Sequence, residues 1–134
     1  MVDQPPSKMR WKCDALGCYL KNCEPNIGMF EKYFPGRISM GDFDGVVELN
    51  GAFFVLEWKG PNGEVSSGQN MTFKAFTQMR DDNLVVVVHG DPMTMEIEKM
   101  AYYYQGWFYD YTPAKHDDLV KMIQGWVEAV RGSR

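Results

Sequence analysis

Residues 41–60 have the sequence GDFDGVVELNGAFFVLEWKG, in which two apolar runs flank the dipeptide Asn50-Gly51. Asn-Gly readily adopts the positive φ angles of a two-residue type I′ turn, so this segment predicts a tight β-hairpin. Such a turn also fixes the register, with Leu49 opposite Ala52 and every further cross-strand pair counted outward from that pair. We expect the other strands and helices of the chain to pack around this hairpin.

The register sorts the hairpin into two surfaces, because side chains of a strand alternate between its faces. On one surface Asp44 is expected to face Glu57, and Asp42 is expected to face Lys59. The other members of this mixed surface are Val46, Glu48, Phe53 and Val55. The opposite surface is wholly apolar and is expected to be buried; it consists of Phe43, Val47, Leu49, Ala52, Phe54, Leu56 and Trp58.

The charged positions suggest a metal site. Directly opposed residues have Cβ atoms about 5 Å apart, so Asp44 and Glu57 are placed to share one cation, with Lys59 a step further along the strand. Mg²⁺ accepts carboxylate and carbonyl oxygens and keeps waters and substrate phosphates as its remaining ligands. A lysine beside such a metal can orient a water and offset charge on a phosphate. The pattern favours metal-assisted phosphodiester hydrolysis, and its alternative is a solvated sheet face on which charged and apolar residues alternate.

The spacing of these residues resembles the PD-(D/E)xK nuclease superfamily. Asp44 is followed, after twelve residues, by the triplet Glu57-Trp58-Lys59. In that superfamily the acid and the ExK triplet lie on adjacent antiparallel strands, as they would here. The resemblance extends over roughly residues 24–90 as an order of elements, but its specific motif is the hairpin.

One feature of the superfamily is missing. Its loosely kept proline before the first acid is absent, since Gly41 precedes Asp42 and Phe43 precedes Asp44. This leaves open which aspartate is the principal metal ligand. The turn favours Asp44, because it places that residue across from Glu57.

The resemblance implies an α/β fold with a restriction-endonuclease-like core, a central mixed β-sheet flanked by helices. It implies a Mg²⁺-dependent endo- or exonuclease, with Mn²⁺ as an alternative metal and DNA as the expected substrate. Asp44, Glu57 and the Trp58 carbonyl would hold the metal. Asp42 would support these ligands or hold a second metal, and Lys59 would position the attacking water. Small stand-alone members, including resolvase-like proteins, often come from bacteriophages, and a homodimer is expected if both strands of a DNA duplex are cut.

A glutamine beyond the hairpin is a further candidate catalytic residue. In one branch of the superfamily, the helix after the hairpin carries a glutamine with an aromatic residue four positions later, and Gln69 with Phe73 resembles that pair. The alternative is structural, because Ser66-x-x-Gln69 is also a capping box, in which the glutamine serves the backbone at the helix start. An extra acid before the hairpin is also typical of the superfamily; Glu31 or Glu24 matches it, and an exposed helix glutamate is the structural alternative for either.

The composition is that of a globular chain, with 45% hydrophobic and 14% aromatic residues among 134. We expect a flexible lead over residues 1–12 and one domain over residues 13–134. No apolar run approaches the ~20 residues that cross a membrane, and the N-terminus lacks the apolar region of a secretory signal, so a cytoplasmic protein without membrane contact is expected. The net charge of −4 argues against a broad basic surface that grips duplex DNA. Weaker or strand-restricted binding is expected, through the basic residues of the first third: Lys8, Arg10, Lys12, Lys21, Lys32 and Arg37.

The three cysteines lie close together as Cys13, Cys18 and Cys23, with the spacing C-x4-C-x4-C. Zinc knuckles carry CxxC pairs and four ligands, and no histidine lies nearby to complete this set. We therefore expect reduced thiols without zinc. The alternative is a zinc site whose shell is completed by an acid or by a partner chain.

The remaining elements follow from periodicity. A short helix is expected over residues 25–34, and a longer one from Ser66 to about Arg80. The apolar run LVVVV at 84–88 predicts a strand buried on both faces and parallel to the hairpin. The tyrosine-rich residues 96–111 predict a second hairpin that stacks on unpaired bases, covers a sheet edge or makes a dimer contact. A last helix is expected over 113–131, with its buried stripe at Leu119, Met122, Ile123, Trp126 and Val130.

Two functions compete with the nuclease. One is a nucleic-acid- or protein-binding module that keeps the fold but does not cut. The other is a structural interaction protein that uses the tyrosine-rich hairpin. Of the three, only the nuclease predicts a Mg²⁺ or Mn²⁺ ion bound by carboxylates.

Overall fold

The structure is a computed structural model that describes residues 26–132 of the chain. It divides into two compact units, Met1–Met40 and Gly41–Arg134. The three cysteines, Glu24 and the expected boundary between residues 12 and 13 lie outside the described residues, so the expectations for them stay predictions. No helix in the described part of the chain is long and apolar enough to cross a membrane.

The described part of the first unit contains a short 3₁₀ helix, Ile27–Tyr33. It matches the helix expected over 25–34, but its apolar stripe is about half exposed, with Ile27 at 47% and Phe30 at 50%. Glu31 accepts a hydrogen bond from the Met40 backbone N–H. Its carboxylate therefore serves a local backbone contact within this unit.

The second unit is an α/β structure built on a five-stranded sheet. The strands are β1 (Gly45–Leu49), β2 (Ala52–Lys59), β3 (Leu84–Gly90), β4 (Ile97–Tyr104) and β5 (Trp107–Pro113), and they lie side by side in chain order. The described residues of this unit form two α-helices, α1 (Ser67–Gln78) and α2 (His116–Gly132). Only β2 and β3 are parallel, because α1 connects them as a crossover, and all other neighbours are antiparallel. The expected mixed sheet flanked by helices is confirmed.

The turn at Asn50-Gly51 has the predicted conformation. Asn50 has φ 53° and Gly51 has φ 85°, the positive values that a type I′ turn requires. The predicted register is confirmed from Leu49↔Ala52 outward to Gly45↔Leu56. There the ladder ends, one pair short of residues 44 and 57.

The end of the ladder makes one prediction wrong. Phe43 was predicted on the apolar face with Phe54, but its ring packs against Phe73 and Phe76 of α1, at centroid distances of 6.1 and 5.3 Å. It therefore lies on the face of Val55 and Glu57. Because residues before Gly45 are not held in the strand, the alternation of side chains no longer applies to them.

Both faces of the central strands are covered. Between one face and α2 lies a core cluster that includes Ala52, Phe54, Leu84, Val86 and Val88 of the sheet and Leu119, Trp126 and Val130 of α2, with Leu49, Leu56 and Trp58 at its margin. Between the other face and α1 lies a second cluster, with Val55, Val85, Val87 and Tyr103 of the sheet and Phe73 of α1. β3 is buried along its whole length, as predicted from its apolar run. Val47, predicted to be buried, is 55% exposed because β1 is the edge strand and neither of these clusters includes it.

Candidate active site

Three polar side chains meet where β2 ends and α1 begins. Glu57 and Lys59 project from the same face of β2, and Gln69 lies in the first turn of α1, which covers that face. Gln69 Nε2 donates to Glu57 Oε2 at 2.9 Å, and Lys59 Nζ donates to Gln69 Oε1 at 2.8 Å. Lys59 Nζ is also 3.4 Å from Glu57 Oε2. The structure thus brings together three of the predicted catalytic residues, and Gln69 bridges the other two.

Gln69 forms the predicted capping box, and the same side chain contacts Glu57 and Lys59, whereas its catalytic role stays a prediction. Its backbone N–H donates to Ser66 Oγ at 3.1 Å, and its Oε1 accepts from the Ser66 N–H at 3.2 Å, which completes the capping box. Oε1 therefore receives two donors, from Ser66 and Lys59, while Nε2 donates to Glu57. These contacts fit one orientation of the amide, in which Oε1 faces the two donors and Nε2 faces the carboxylate. The same bonds that start α1 fix the position of the amide beside the carboxylate.

Glu57 is an unusual residue for a sheet face, since it is only 3% exposed. Burial is the main cause that raises its pKa, and the charge of Asp44 raises the pKa further, against the opposing effects of Lys59 and Gln69. Its Oε1 is buried and has no hydrogen-bond partner among the described residues. A buried carboxylate oxygen without a partner is costly, and a hard divalent cation is a ligand that would satisfy it.

Asp44 lies near Glu57 in a different way from that predicted. Its Oδ2 accepts a hydrogen bond from the Trp58 backbone N–H at 2.7 Å, so the carboxylate takes the place of the next ladder bond. The charge of Asp44 still acts on Glu57 and is the second cause, after burial, of the raised pKa of Glu57. One carboxylate oxygen of Asp44 thus fixes the end of β2, and the side chain stays largely exposed.

The Trp58 side chain and Asp42 lie outside the hydrogen-bond network of Glu57, Lys59 and Gln69. The Trp58 indole packs on the opposite, α2-covered face and donates its Nε1–H to the Gly90 carbonyl at 3.2 Å. Asp42 is exposed, and its expected position near Lys59 remains a prediction. Within residues 26–132, no three or more carboxylate, imidazole or thiol side chains form a group that could hold a metal. Asp44, Glu57 and the Trp58 carbonyl stay predicted metal ligands, and this observation does not test them.

His89 lies directly beside Lys59, because the two residues are register partners on β3 and β2. The residue is 3% exposed, and its Nε2 shares a hydrogen bond with the Tyr111 hydroxyl at 2.9 Å. Burial, followed by the charge of Lys99, lowers the pKa of His89, and a hydrogen bond with the Gly60 backbone opposes this shift.

Lys99, Tyr111 and Asn70 line one cavity together with His89 and were not predicted as site residues. The signal that was available is the period of two along β4, which puts Lys99, Ala101 and Tyr103 on one face. That these residues reach the same place as His89 depends on the pairing of β3 with β4 and β5, which no local pattern determines.

Comparison with known proteins gives no family assignment: the chain matches no protein-family model, no curated protein and no solved structure.

Proposed function

We propose that this protein is a Mg²⁺-dependent nuclease that hydrolyses phosphodiester bonds of nucleic acid, with DNA as its expected substrate. The observation that carries the proposal is the buried Glu57 carboxylate. One of its oxygens is held by Gln69 beside the Lys59 ammonium, and the other has no partner among the described residues. A carboxylate in this state, with a second acid nearby, is suited to accept a divalent cation.

The order of elements also supports the proposal. The acid precedes β1, the Glu57-Trp58-Lys59 triplet ends β2, and α1 then leads to a parallel strand, β3. This is the arrangement that the PD-(D/E)xK resemblance implies. A restriction-endonuclease-like core over β1 to β3 and α1 is part of the proposal.

Each residue then has a role that its position allows. Glu57 Oε1, Asp44 and the Trp58 carbonyl would hold Mg²⁺, which when bound polarises the phosphate and lowers the pKa of a water. Lys59 would orient the attacking water and offset charge on the phosphate, since Gln69 keeps its ammonium at the end of β2. Gln69 would hold Glu57 and Lys59 in their relative positions.

A second candidate is a binding module that does not cut. The exposed aromatic residues of the second hairpin favour it, since Trp107 is 72% exposed and Tyr109 is 42% exposed. Such rings stack on unpaired bases or cover a partner surface. In such a binding module, the hydrogen bonds among Glu57, Lys59 and Gln69 would only stabilise the packing of α1 on the sheet.

A digestion panel separates the two candidates. Labelled single-stranded, duplex and branched DNA, with matched RNA, are incubated with the protein in Mg²⁺, Mn²⁺ or EDTA. We expect cleavage of at least one DNA substrate with Mg²⁺ or Mn²⁺ and none in EDTA. Glu57→Gln should abolish this cleavage, and Glu128→Gln, at an exposed position of α2, should not. Binding without cleavage in both metals would favour the non-catalytic module.

A further inference from the structure

A cavity of about 720 Å³ opens beside the candidate active site. The loop before α1, the first turn of α1 and one side of β3, β4 and β5 form its walls. Ser66 connects it to the site, because the Ser66 N–H donates to the same Gln69 oxygen that receives Lys59. His89 forms part of the wall and is the register partner of Lys59. A nucleic-acid chain bound at Glu57 and Lys59 would thus lie next to this cavity.

The cavity has donors suited to a phosphate group. Lys99 lines it, and within residues 26–132 this ammonium has no carboxylate within ion-pair distance; it lies 4.8 Å from the centroid of the Tyr111 ring. Ser67 also lines the cavity, and its backbone N–H is the first of α1 and has no partner within the helix, whereas that of Gln69 is capped. Helix N-termini with free N–H groups favour anions.

Asn70 adds a donor whose direction is determined by its neighbour. Burial raises the pKa of Tyr103 to about 12, so its hydroxyl keeps its proton and donates to Asn70 Oδ1 at 2.8 Å. The Asn70 Nδ2 group is then left to donate to a ligand. The exposed Glu64 carboxylate lies at the rim and opposes an anion, so binding is expected to be moderate.

An aromatic wall accompanies these donors. Phe108 is 36% exposed, and its ring lies 6.0 Å from that of Tyr111 at an angle of 69°. An accessible ring beside a phosphate-binding group is the combination that recognises a nucleotide, since bases stack on aromatic side chains without sequence preference.

We propose that this cavity binds one nucleotide of the substrate strand next to the phosphate that is cut. Its phosphate lies between Lys99 and the first turn of α1, and its base lies against Phe108. This inference rests on the proposed nuclease function, because it assigns the nucleotide to a strand that the protein cuts. Nucleotide binding itself can be measured without cleavage.

The first test is a titration of the metal-free protein in EDTA with deoxyadenosine 5′-monophosphate, followed by amide NMR shifts. We expect shifts at Ser67 and Asn70, and a loss of affinity of about tenfold or more in Lys99→Gln and in Phe108→Ala. Lys121→Gln, on an exposed part of α2, is the control. The titration extends to about 10 mM nucleotide, which still detects millimolar binding. The proposal would be overturned if no shifts occur in this range. It would also be overturned if the wild type and the three variants bind the nucleotide with equal affinity.

Asn70→Asp separates binding from folding. The new carboxylate still accepts from the Tyr103 hydroxyl, and a negative charge in the first turns of a helix stabilises it. The melting temperature should therefore be kept or raised while nucleotide affinity falls, because the added charge repels the phosphate. Unchanged affinity in this variant would contradict the placement of the phosphate.

A free nucleotide and a nucleotide within a strand carry the same groups, so a competition distinguishes them. A single-stranded oligonucleotide should displace the monophosphate from the wild-type protein at a concentration about tenfold lower than the monophosphate itself requires. Failure to displace it would show a free-nucleotide site and would overturn the assignment to the strand. In active protein, Lys99→Gln should raise KM with little change in kcat. Nucleotide binding without any cleavage would instead contradict the nuclease function and leave the binding result intact.

Discussion

Gln69 Nε2 donates to Glu57 Oε2 at 2.9 Å, and through this bond the first turn of α1 is joined to the end of β2. The same side chain caps its own helix and accepts from Lys59. Because Gln69 caps α1 and also bonds to Glu57 and Lys59, the stability of the helix is coupled to the geometry of the candidate site.

Lys59→Ala should remove the chemical step and keep metal binding. Without the ammonium, the attacking water is no longer oriented, and the cleavage rate at saturating Mg²⁺ should fall about 10²–10³-fold, or about 3–4 kcal/mol. Single-turnover cleavage at equal metal occupancy measures this. Lys121→Ala is the matched control at an exposed helical lysine. Equal rates for wild type and Lys59→Ala would mean that Lys59 has no catalytic role.

Gln69→Ala should lower both stability and activity. The variant loses half of the capping box and leaves Glu57 Oε2 with fewer donors, so the free energy of unfolding should fall by about 1–2 kcal/mol. Urea denaturation of the metal-free protein measures this loss. Gln124→Ala, at an exposed position of α2, should change stability little. If both variants are equally stable, the hydrogen bonds of Gln69 are not formed in solution.

Glu57 should make the metal-free protein less stable as pH rises. Its pKa in the fold is raised above the ordinary value of 4.5, mainly by burial, so the folded state holds this proton more tightly than the unfolded state. In the pH window above 4.5 the folded state then binds more protons, and stability falls as pH rises through it. Glu57→Gln should abolish this loss, whereas Glu128→Gln should not.

Melting temperatures in EDTA at a series of pH values measure this effect. Mg²⁺ should raise the melting temperature of the wild type most above that window, where Glu57 is ionised, because a ligand stabilises the state that binds it. The same addition should leave Glu57→Gln nearly unchanged. The raised pKa of Glu57 would be contradicted if, with rising pH, the melting temperature of the wild type increased relative to that of Glu57→Gln.

Gly90→Ala should be strongly destabilising. A Cβ atom there would lie 2.1 Å from the Glu96 carbonyl oxygen and 3.0 Å from Cζ2 of Trp58, whose indole donates to the Gly90 carbonyl. Backbone must move to relieve this, which should cost about 3 kcal/mol or more. Gly125→Ala is the opposite case, since nothing lies within 4 Å and the residue is in α2, so stability should rise by about 0.5–1 kcal/mol. Chemical denaturation compares the two, and equal stabilities would contradict the close approach at Gly90.

The sequence alone determined the features that depend on neighbouring residues. Asn50-Gly51 specified the turn and, with it, the register from Leu49 outward, because turn type is a local backbone preference. The valine run at 85–88 specified a strand buried on both faces. The Ser66-Gln69 capping box specified where α1 begins, and an apolar stripe specified the buried side of α2.

Only the tertiary structure decided where the ladder ends and what surrounds the site. Phe43 turned to the α1 side, and Asp44 bonded to the Trp58 N–H, because strand pairing stops at Gly45 and contacts with α1 then control the chain. The buried state of Glu57, which leaves one oxygen without a partner in the described part, arises from the packing of α1 on β2. Burial is a property of distant segments brought together, so the sequence could name this carboxylate, but only the fold could raise its pKa.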